Sequence, residues 1–275
     1  MAGTLYVVAT PLGNLSDLSQ RAIDVLRSAD LVAAEDTRRA RKLLNHIEAK
    51  PRVCSYHAHS PPSKLTQLER SLEQGTTVAL LTDAGTPAIS DPGGHLVARA
   101  RECGARVVPI PGPSAVTTAL SVAGFPADRY TFLGFLPRKG PDRRRILDEL
   151  AALPRTAVIF EAANRLVRLL SDIEGVCHSD RRVVVARELT KIHEEIKCGN
   201  LTDLRVYYEE RTPRGEVTVV VEGAVYVPQE TDAEAVAQRA RELLDRGATR
   251  KDTAAKLAQE FSLSRRDAYR LVTEL

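Results

Sequence analysis

The sequence predicts an α/β protein: two α/β domains with a cleft between them, and a small C-terminal helical extension. Three observations carry this. Short β-branched runs alternate with amphipathic stretches along the first 110 residues. The alternation restarts after Gly124-Phe125-Pro126. Residues 231–275 hold no strand-like run at all. At about 150 residues per domain, a chain of this length is expected to form roughly two. The divisions expected are 1–120, 121–228 and 229–275.

The elements follow in order. Leu5-Tyr6-Val7-Val8-Ala9 reads as a strand. Leu15, Leu18, Ala22, Val25 and Ala29 then recur at helical spacing and give one apolar face. Further strands are expected at Leu31–Ala34, Val53–Tyr56, Thr77–Leu81 and Val107–Ile110, with helices between them. Strand–helix alternation requires crossover connections and so a mostly parallel sheet. In the second half, strands are expected near 130–135, 156–160, 183–187 and 216–222. Helices are expected at 141–152 and 163–174. The long final run from Val217 to Val227 suggests an antiparallel hairpin or an edge closing the sheet. Beyond it, Thr249 with Asp252 and Ser264 with Asp267 are spaced to cap two short helices, loosely a helix-turn-helix. Seven basic against four acidic residues follow from Arg246 onward, yet the turn lacks the usual Gly, which favours a packed helical cap.

Composition excludes several classes. Hydrophobic residues at 43% and charged residues at 27% argue against disorder or a collagen-like fibre. No apolar run reaches 18 residues, so no transmembrane helix is expected. The N-terminus lacks the basic head and apolar block of a signal peptide, and a cytoplasmic location is expected. The four cysteines form no C-x-x-C pair, which fits reduced thiols. A net charge of +3 excludes only a globally supercharged polyanion binder, and the absence of Trp argues against base reading mainly by stacking.

In open parallel sheets, ligands bind outside the carboxyl ends of the strands. The loops expected there are Thr10–Asn14, Glu35–Arg38, Tyr56–His59, Thr82–Gly93 and Pro111–Ala115, all polar and three of them dense in Gly and Pro. In the fourth, Gly85 lets backbone approach a ligand closely. Asp83 can accept hydrogen bonds from a ligand, and Asp91-Pro92 reads as a helix start. Ser114 can cap the following helix, whose amide end suits a carboxylate. No G-x-G-x-x-G, acidic-G-x-G or G-x-x-x-x-G-K-[ST] loop is present, so neither a dinucleotide fingerprint nor a Walker loop is expected. His57-x-His59 would share one face at strand spacing but has no third ligand, and no metal is expected. In the second half, loops after Phe132-Leu133-Gly134-Phe135, after Phe160-Glu161 and after Arg187-Glu188-Leu189-Thr190-Lys191 repeat the pattern.

Two nearly pure basic runs sit on the same edge: Arg38, Arg39, Arg41 and Lys42, then Arg138, Lys139, Arg143, Arg144 and Arg145. A solvated helix face mixes signs. Two such runs beside a cleft point to RNA or another phosphorylated substrate, held by phosphate contacts.

The ordered set Leu5–Leu15, Ala34-Glu35-Asp36-Thr37-Arg38, Asp83-Ala84-Gly85-Thr86-Pro87 with Asp91-Pro92-Gly93, Pro111–Ala115, Gly134–Pro137, Ala186–Lys191 and Gly215-Glu216 resembles the tetrapyrrole methylase superfamily, over about the whole chain. The first loop departs from the G-x-G-P-G-D type of tetrapyrrole-methylating relatives, and so resembles the ribosomal-RNA branch. The resemblance implies a homodimer binding S-adenosylmethionine in its cleft. It implies methyl transfer to a cytidine ribose 2′-hydroxyl in the decoding region of 16S ribosomal RNA, within the small subunit. On matched positions the cofactor would touch Leu12, Asp83, Ala84, Gly85, Thr86, Pro87, Ile89, Ser90, Asp91, Ser114 and Ala115, with Phe132, Phe135, Leu189 and Glu216 closing over it. A ribose hydroxyl benefits from a positioned base. Glu35, Asp36, Glu161, Glu188 and Lys191 stand at strand ends for this. Asp36 and Glu188 are the first choices as catalytic residues, with Arg38 and Arg187 holding phosphate or orienting carboxylates. A structural salt-bridge network would use the same residues. Two other functions remain open: a tetrapyrrole or other small-molecule methyltransferase, and a non-catalytic RNA-binding protein of ribosome assembly.

Overall fold

Every strand of the first sheet is followed by a helix, and the spacing forces each strand to run the same way. The computed structural model describes residues 2–177, 179–211, 213–224, 233–261 and 265–273, in two compact units, 1–224 and 225–275. The first unit begins with β1 (Thr4–Val8), α1 (Gln20–Ser28), β2 (Leu31–Ala34), α2 (Thr37–His46), β3 (Arg52–Ser55), α3 (Pro62–Glu73), β4 (Thr77–Leu81), α4 (Gly94–Glu102) and β5 (Arg106–Ile110). The five strands are ordered β3-β2-β4-β1-β5, and every pair is parallel.

Period-two alternation divides each strand between two cores. Val78 and Leu80 of β4 face one side, with Leu5, Leu68, Leu72 and Leu96. Ala79 and Leu81 face the other, with Val8, Leu26, Leu43 and Leu44. Both faces are covered, as a parallel sheet requires.

Next come α5 (Ala115–Ala123), β6 (Tyr130–Phe135), α6 (Pro141–Ala152), β7 (Thr156–Ala162), α7 (Leu166–Glu174), β8 (Arg182–Arg187), β9 (Glu195–Asn200), α8 (Leu201–Glu209) and β10 (Glu216–Val221). The expected division near residue 120 falls inside α5. That helix lays Val116, Ala119, Leu120 and Ala123 against Val158, Val184 and Val220 of the second sheet. The second sheet is ordered β6-β7-β10-β8-β9; only β6 and β7 are parallel, and the other pairs are antiparallel.

Here the expectation needs correcting. The Val217 run is not an edge: β10 lies in the centre, paired on both sides and buried on both faces. Valines on both faces, interrupted only by a buried Thr218, rather than a strict alternation, suit a doubly covered strand. β10 ends at Val221 and residues 222–224 are not strand; the rest of the expected run, 225–227, lies outside the described residues. The edges are β6 and β9, and the Glu, Lys, Gly and Asn of β9 carry no strand signal. α8 also went unforeseen, although Asn200 caps it by accepting the Asp203 amide at 2.8 Å.

Two caps differ as well. Asp91-Pro92 does not open a helix, because α4 starts at Gly94 behind Gly93 at φ +142°. Ser114 occupies the N-cap of α5, but its side chain makes no capping hydrogen bond.

The second unit consists, among the described residues, of α9 (Ala233–Asp245), α10 (Arg250–Glu260) and α11 (Arg265–Thr273) around Val236, Ala240, Leu243, Ala254, Leu257, Ala268 and Val272. Thr249 caps α10 through the Asp252 amide at 3.1 Å. The expected Ser264 cap lies outside the described residues.

Candidate active site

The carboxyl ends of the first sheet and the loops of the second enclose a cavity of about 400 Å³ within the first unit. Its lining mixes carboxylates with apolar groups. Glu35, Asp83, Asp91, Glu161 and Glu216 contribute the acids, and Leu12, Ile89, Val116, Phe135, Phe160 and Leu189 much of the apolar wall.

Each wall is held by specific contacts. Thr10 and Gly85 exchange backbone hydrogen bonds of 2.8 and 3.0 Å, which tie the first loop to the fourth. Gly85 needs its φ of +83° to make that turn. Thr82 donates to Glu35 Oε2 at 3.0 Å. Asp83 Oδ1 accepts the Asp36 amide at 3.0 Å, and its Oδ2 lies 3.5 Å from Arg39 Nε. Thr86 donates to the Pro113 carbonyl at 3.2 Å, joining the fourth loop to the fifth. At the N-terminus of α5, Ser114, Ala115 and Val116 line the cavity.

The second sheet supplies a similar framework. Glu161 is 2% exposed, pairs with Arg165 and accepts the Ala162 amide at 2.8 Å. Glu188 Oε1 accepts both Lys191 Nζ and the Glu216 amide at 2.9 Å. Lys191 Nζ also reaches Glu216 Oε2 at 3.0 Å. Gly215, at φ +91°, leaves the space that Glu188 fills: a Cβ there would lie 2.1 Å from Oε1. Asn14 donates its amide to Thr190 Oγ1 at 3.2 Å, so the first loop and the 188–191 loop are joined.

Backbone strain gathers at the same place. Among the described residues, Ala88, Ser90, Glu188 and Thr190 take φ values of +69°, +60°, +52° and +65° without being glycine, and only Glu48 does so elsewhere. Such conformations persist only where the surroundings over-determine them.

Of the residues expected to touch a cofactor, Leu12, Asp83, Ala84, Gly85, Thr86, Ile89, Asp91, Ser114, Ala115, Phe135, Leu189 and Glu216 line the cavity. Pro87, Ser90 and Phe132 do not. Pro87 lies within the fourth loop, Ser90 approaches Gly134, and Phe132 packs edge-on against Phe160 at 4.9 Å.

The first-choice catalytic residues are displaced. Asp36 caps α2, accepting the Arg38 amide at 2.7 Å, and pairs with the Arg38 guanidinium at 2.8 Å. Those contacts hold its carboxyl well below the usual range, and neither it nor Arg38 lines the cavity. Glu188 stands behind Glu216 instead of beside the cavity. Burial pushes its carboxyl up, but Lys191 and the Glu216 amide outweigh this and hold it low. Arg187 pairs with Glu195 at 2.9 Å.

Arg38, Arg39, Arg41, Lys42, Arg138, Lys139, Arg144 and Arg145 are exposed. Arg143 is not. Its side chain is 8% exposed and donates to Asp172 at 2.6 Å and to the Pro137 carbonyl at 2.9 Å, so it braces α6 against α7 and is withdrawn from any phosphate. His57 and His59 fall in a turn beyond β3, where His57 Nδ1 accepts the His59 amide at 3.2 Å.

Asp91 is an expected cofactor contact whose acid–base chemistry no sequence signal reveals. Burial pushes its carboxyl up to about 6; Glu35, Asp83 and Glu216 add to this, and the Thr82 hydroxyl offsets part. The folded protein therefore holds this proton more tightly than the unfolded chain, whose value is near 3.8. Stability contributed by the protonated form is lost as pH rises from 3.8 through 6. Asp91→Asn is expected to stabilise the protein at pH 7.5 by about 1–2 kcal/mol, allowing for solvent screening at a half-buried site, and to change nothing at about pH 3.5. Urea unfolding at the two pH values checks this, and equal effects at both would refute it.

Comparison with known proteins follows the same lines. A family model described as tetrapyrrole (corrin/porphyrin) methylases matches residues 4–205. The chain is 42% identical over 99% of its length, and 98% of the relative's, to a Synechocystis protein named ribosomal RNA small subunit methyltransferase I. It is 43% identical to the protein of the same name from Escherichia coli O157:H7, over 99% of this chain and 95% of that one. Among solved structures it is similar to a cobalt precorrin-4 methyltransferase, with TM-score 0.60, 20% identity, and coverage of 80% of this chain and 94% of that one. A uroporphyrin-III C-methyltransferase from Thermus thermophilus gives TM-score 0.57 at 21% identity, covering 79% and 94%.

Proposed function

The chain belongs to the tetrapyrrole methylase family, within the group named ribosomal RNA small subunit methyltransferase I, and from that premise we propose that it methylates 16S ribosomal RNA with S-adenosylmethionine. The acceptor we propose is a cytidine ribose 2′-hydroxyl in the decoding region, reached by a cytoplasmic homodimer acting on the small subunit.

The cavity carries this reading. Its donor set fits the cofactor: carboxylates for hydroxyl, ammonium and sulfonium groups, the open end of α5 for a carboxylate, and an apolar wall with Phe135 and Phe160 for an adenine. Leu12, Asp83–Thr86, Ser114, Ala115 and Leu189 would hold it. When bound, it supplies a methyl group made electrophilic by a sulfonium.

The protein's own task is to orient the ribose oxygen, exclude water and take up one proton. Asp91 is our choice for that proton. It lines the cavity, and its carboxyl at about 6 lies near the value that suits a base working at neutral pH. Asp36 and Glu188 become positioning residues: Asp36 through its amide on Asp83, Glu188 through Glu216 and Lys191. The exposed cations of the two basic runs flank loops that line the cavity and would hold phosphates without reading sequence. Arg39 belongs to both sets.

The test uses purified protein, labelled S-adenosylmethionine and small ribosomal subunits from a strain lacking the modification. The expected product is one labelled cytidine whose 3′ phosphodiester resists alkali, because a methylated 2′-oxygen cannot attack it. No label on the RNA would overturn the reading.

A further inference from the structure

One apolar side chain in the unit stands almost wholly in solvent. Ile192 is 97% exposed, whereas the next most exposed large apolar residue described, Phe135, is 55% exposed and lines the cavity. Single exposed apolar residues are ordinary on protein surfaces. This one is held by a tightly bonded loop.

Lys191 and Glu194 close successive turns, with the Lys191 amide on the Glu188 carbonyl at 3.0 Å and the Glu194 amide on the Lys191 carbonyl at 3.1 Å. Glu194 Oε2 accepts the Thr190 amide at 2.6 Å. Glu188 and Thr190 hold left-handed conformations that cost free energy. The loop is also bound to the rim of the cavity. Leu189 lines it, and Lys191 reaches Glu216, which lines it too. The Lys191 stem lies over Gly13 so closely that a Cβ there would stand 2.2 Å from its Cγ. The loop's strain and bonding thus hold the Ile192 backbone one residue beyond the bridge across the cavity's rim, with its side chain exposed.

We propose that Ile192 is an apolar wedge that enters the base stack of the RNA beside the target nucleotide and so lets its ribose reach the cavity. This rests on the RNA-methylating reading above. A stacked nucleotide cannot place its ribose in an enclosed cavity, and proteins that unstack nucleic acid do so with aliphatic or aromatic wedges. In a chain without Trp and with few aromatics, an isoleucine is a suitable wedge. Its neighbour His193 is also exposed.

The experiment compares wild type, Ile192→Ser and Ile192→Leu on small ribosomal subunits. It reads methylation kinetics, S-adenosylmethionine affinity by calorimetry, dimethyl sulfate reactivity of the bases flanking the methylated nucleotide, and mass by light scattering. Wild type bound to the particle is expected to raise that reactivity. Ile192→Ser is expected to bind the cofactor as wild type does, to leave the bases protected, and to lose at least about tenfold in kcat/KM. Ile192→Leu is expected to restore both. Equal kinetics and equal base reactivity in the serine variant would overturn the wedge, as would a change in its mass, which would assign Ile192 to an interface between copies. Failure of wild type itself to methylate RNA would instead overturn the proposed function.

Discussion

Replacing Asp83 with Ala is expected to cut kcat/KM for methylation by about 100-fold or more, the scale that a misplacement of about 1 Å carries at a reacting centre. Asp83 serves two loops at once. One oxygen fixes the Asp36 amide, and so the start of α2; the other faces Arg39. The same carboxylate lines the cavity. Truncation would free the 35–39 segment, unpair Arg39 and remove one of the negative charges facing a cationic ligand. Hydrogen bonds to charged groups contribute about 1.5–3 kcal/mol, which predicts cofactor binding weaker by about 10- to 100-fold. Asp83→Asn separates the causes. Its amide oxygen can still accept from Asp36, so the loop should stay in place and unfolding should shift little, while the loss of charge still weakens cofactor binding. Calorimetry and urea unfolding on both variants check this. Cofactor affinity within twofold of wild type in the alanine variant would remove Asp83 from the site.

The edge of the first sheet that bears these groups was legible from sequence for a physical reason. Parallel strands deliver every following loop to one edge, so strand positions alone gather Leu12, Asp83 and Ser114. Which of two adjacent carboxylates faces inward was harder. Glu35 lines the cavity and Asp36 does not, because Asp36 is spent on capping α2; an Asp directly before an amphipathic run carried that signal. Arg143 hid within a basic run, yet it stands four and seven residues before Leu147 and Leu150, on the buried stripe of α6. The central place of β10 was written in Val217, Val219, Val220 and Val221, which put valine on both faces of the strand. The left-handed conformations at Ala88, Ser90, Glu188 and Thr190 had no signal of that kind, since they are imposed by tertiary contacts on residues that do not favour them.

Glu161 is the sharpest case of a residue whose removal should affect fold and chemistry by different routes. It is one of the few charged groups buried among the described residues, and it also lines the cavity. On β7 it sits across from Val217 of central β10, so water cannot replace its partners from behind. Glu161→Ala is expected to destabilise the protein by about 1–3 kcal/mol, because the Ala162 amide and Arg165 lose their acceptor. That variant alone would be uninformative about chemistry, since it can fail to fold. Glu161→Gln keeps the volume and one acceptor oxygen, and Arg165, at 29% exposure, can turn to water. It should therefore remain folded at 25 °C with a lower urea midpoint. If the carboxylate orients the bound ribose or cofactor, its turnover should still fall by about 10- to 100-fold, as expected for the loss of a charged hydrogen bond. Pairing Glu161→Gln with Arg165→Met removes the unpaired cation and should recover stability without recovering turnover. Recovery of both would make the pair a structural brace and take Glu161 out of the chemistry.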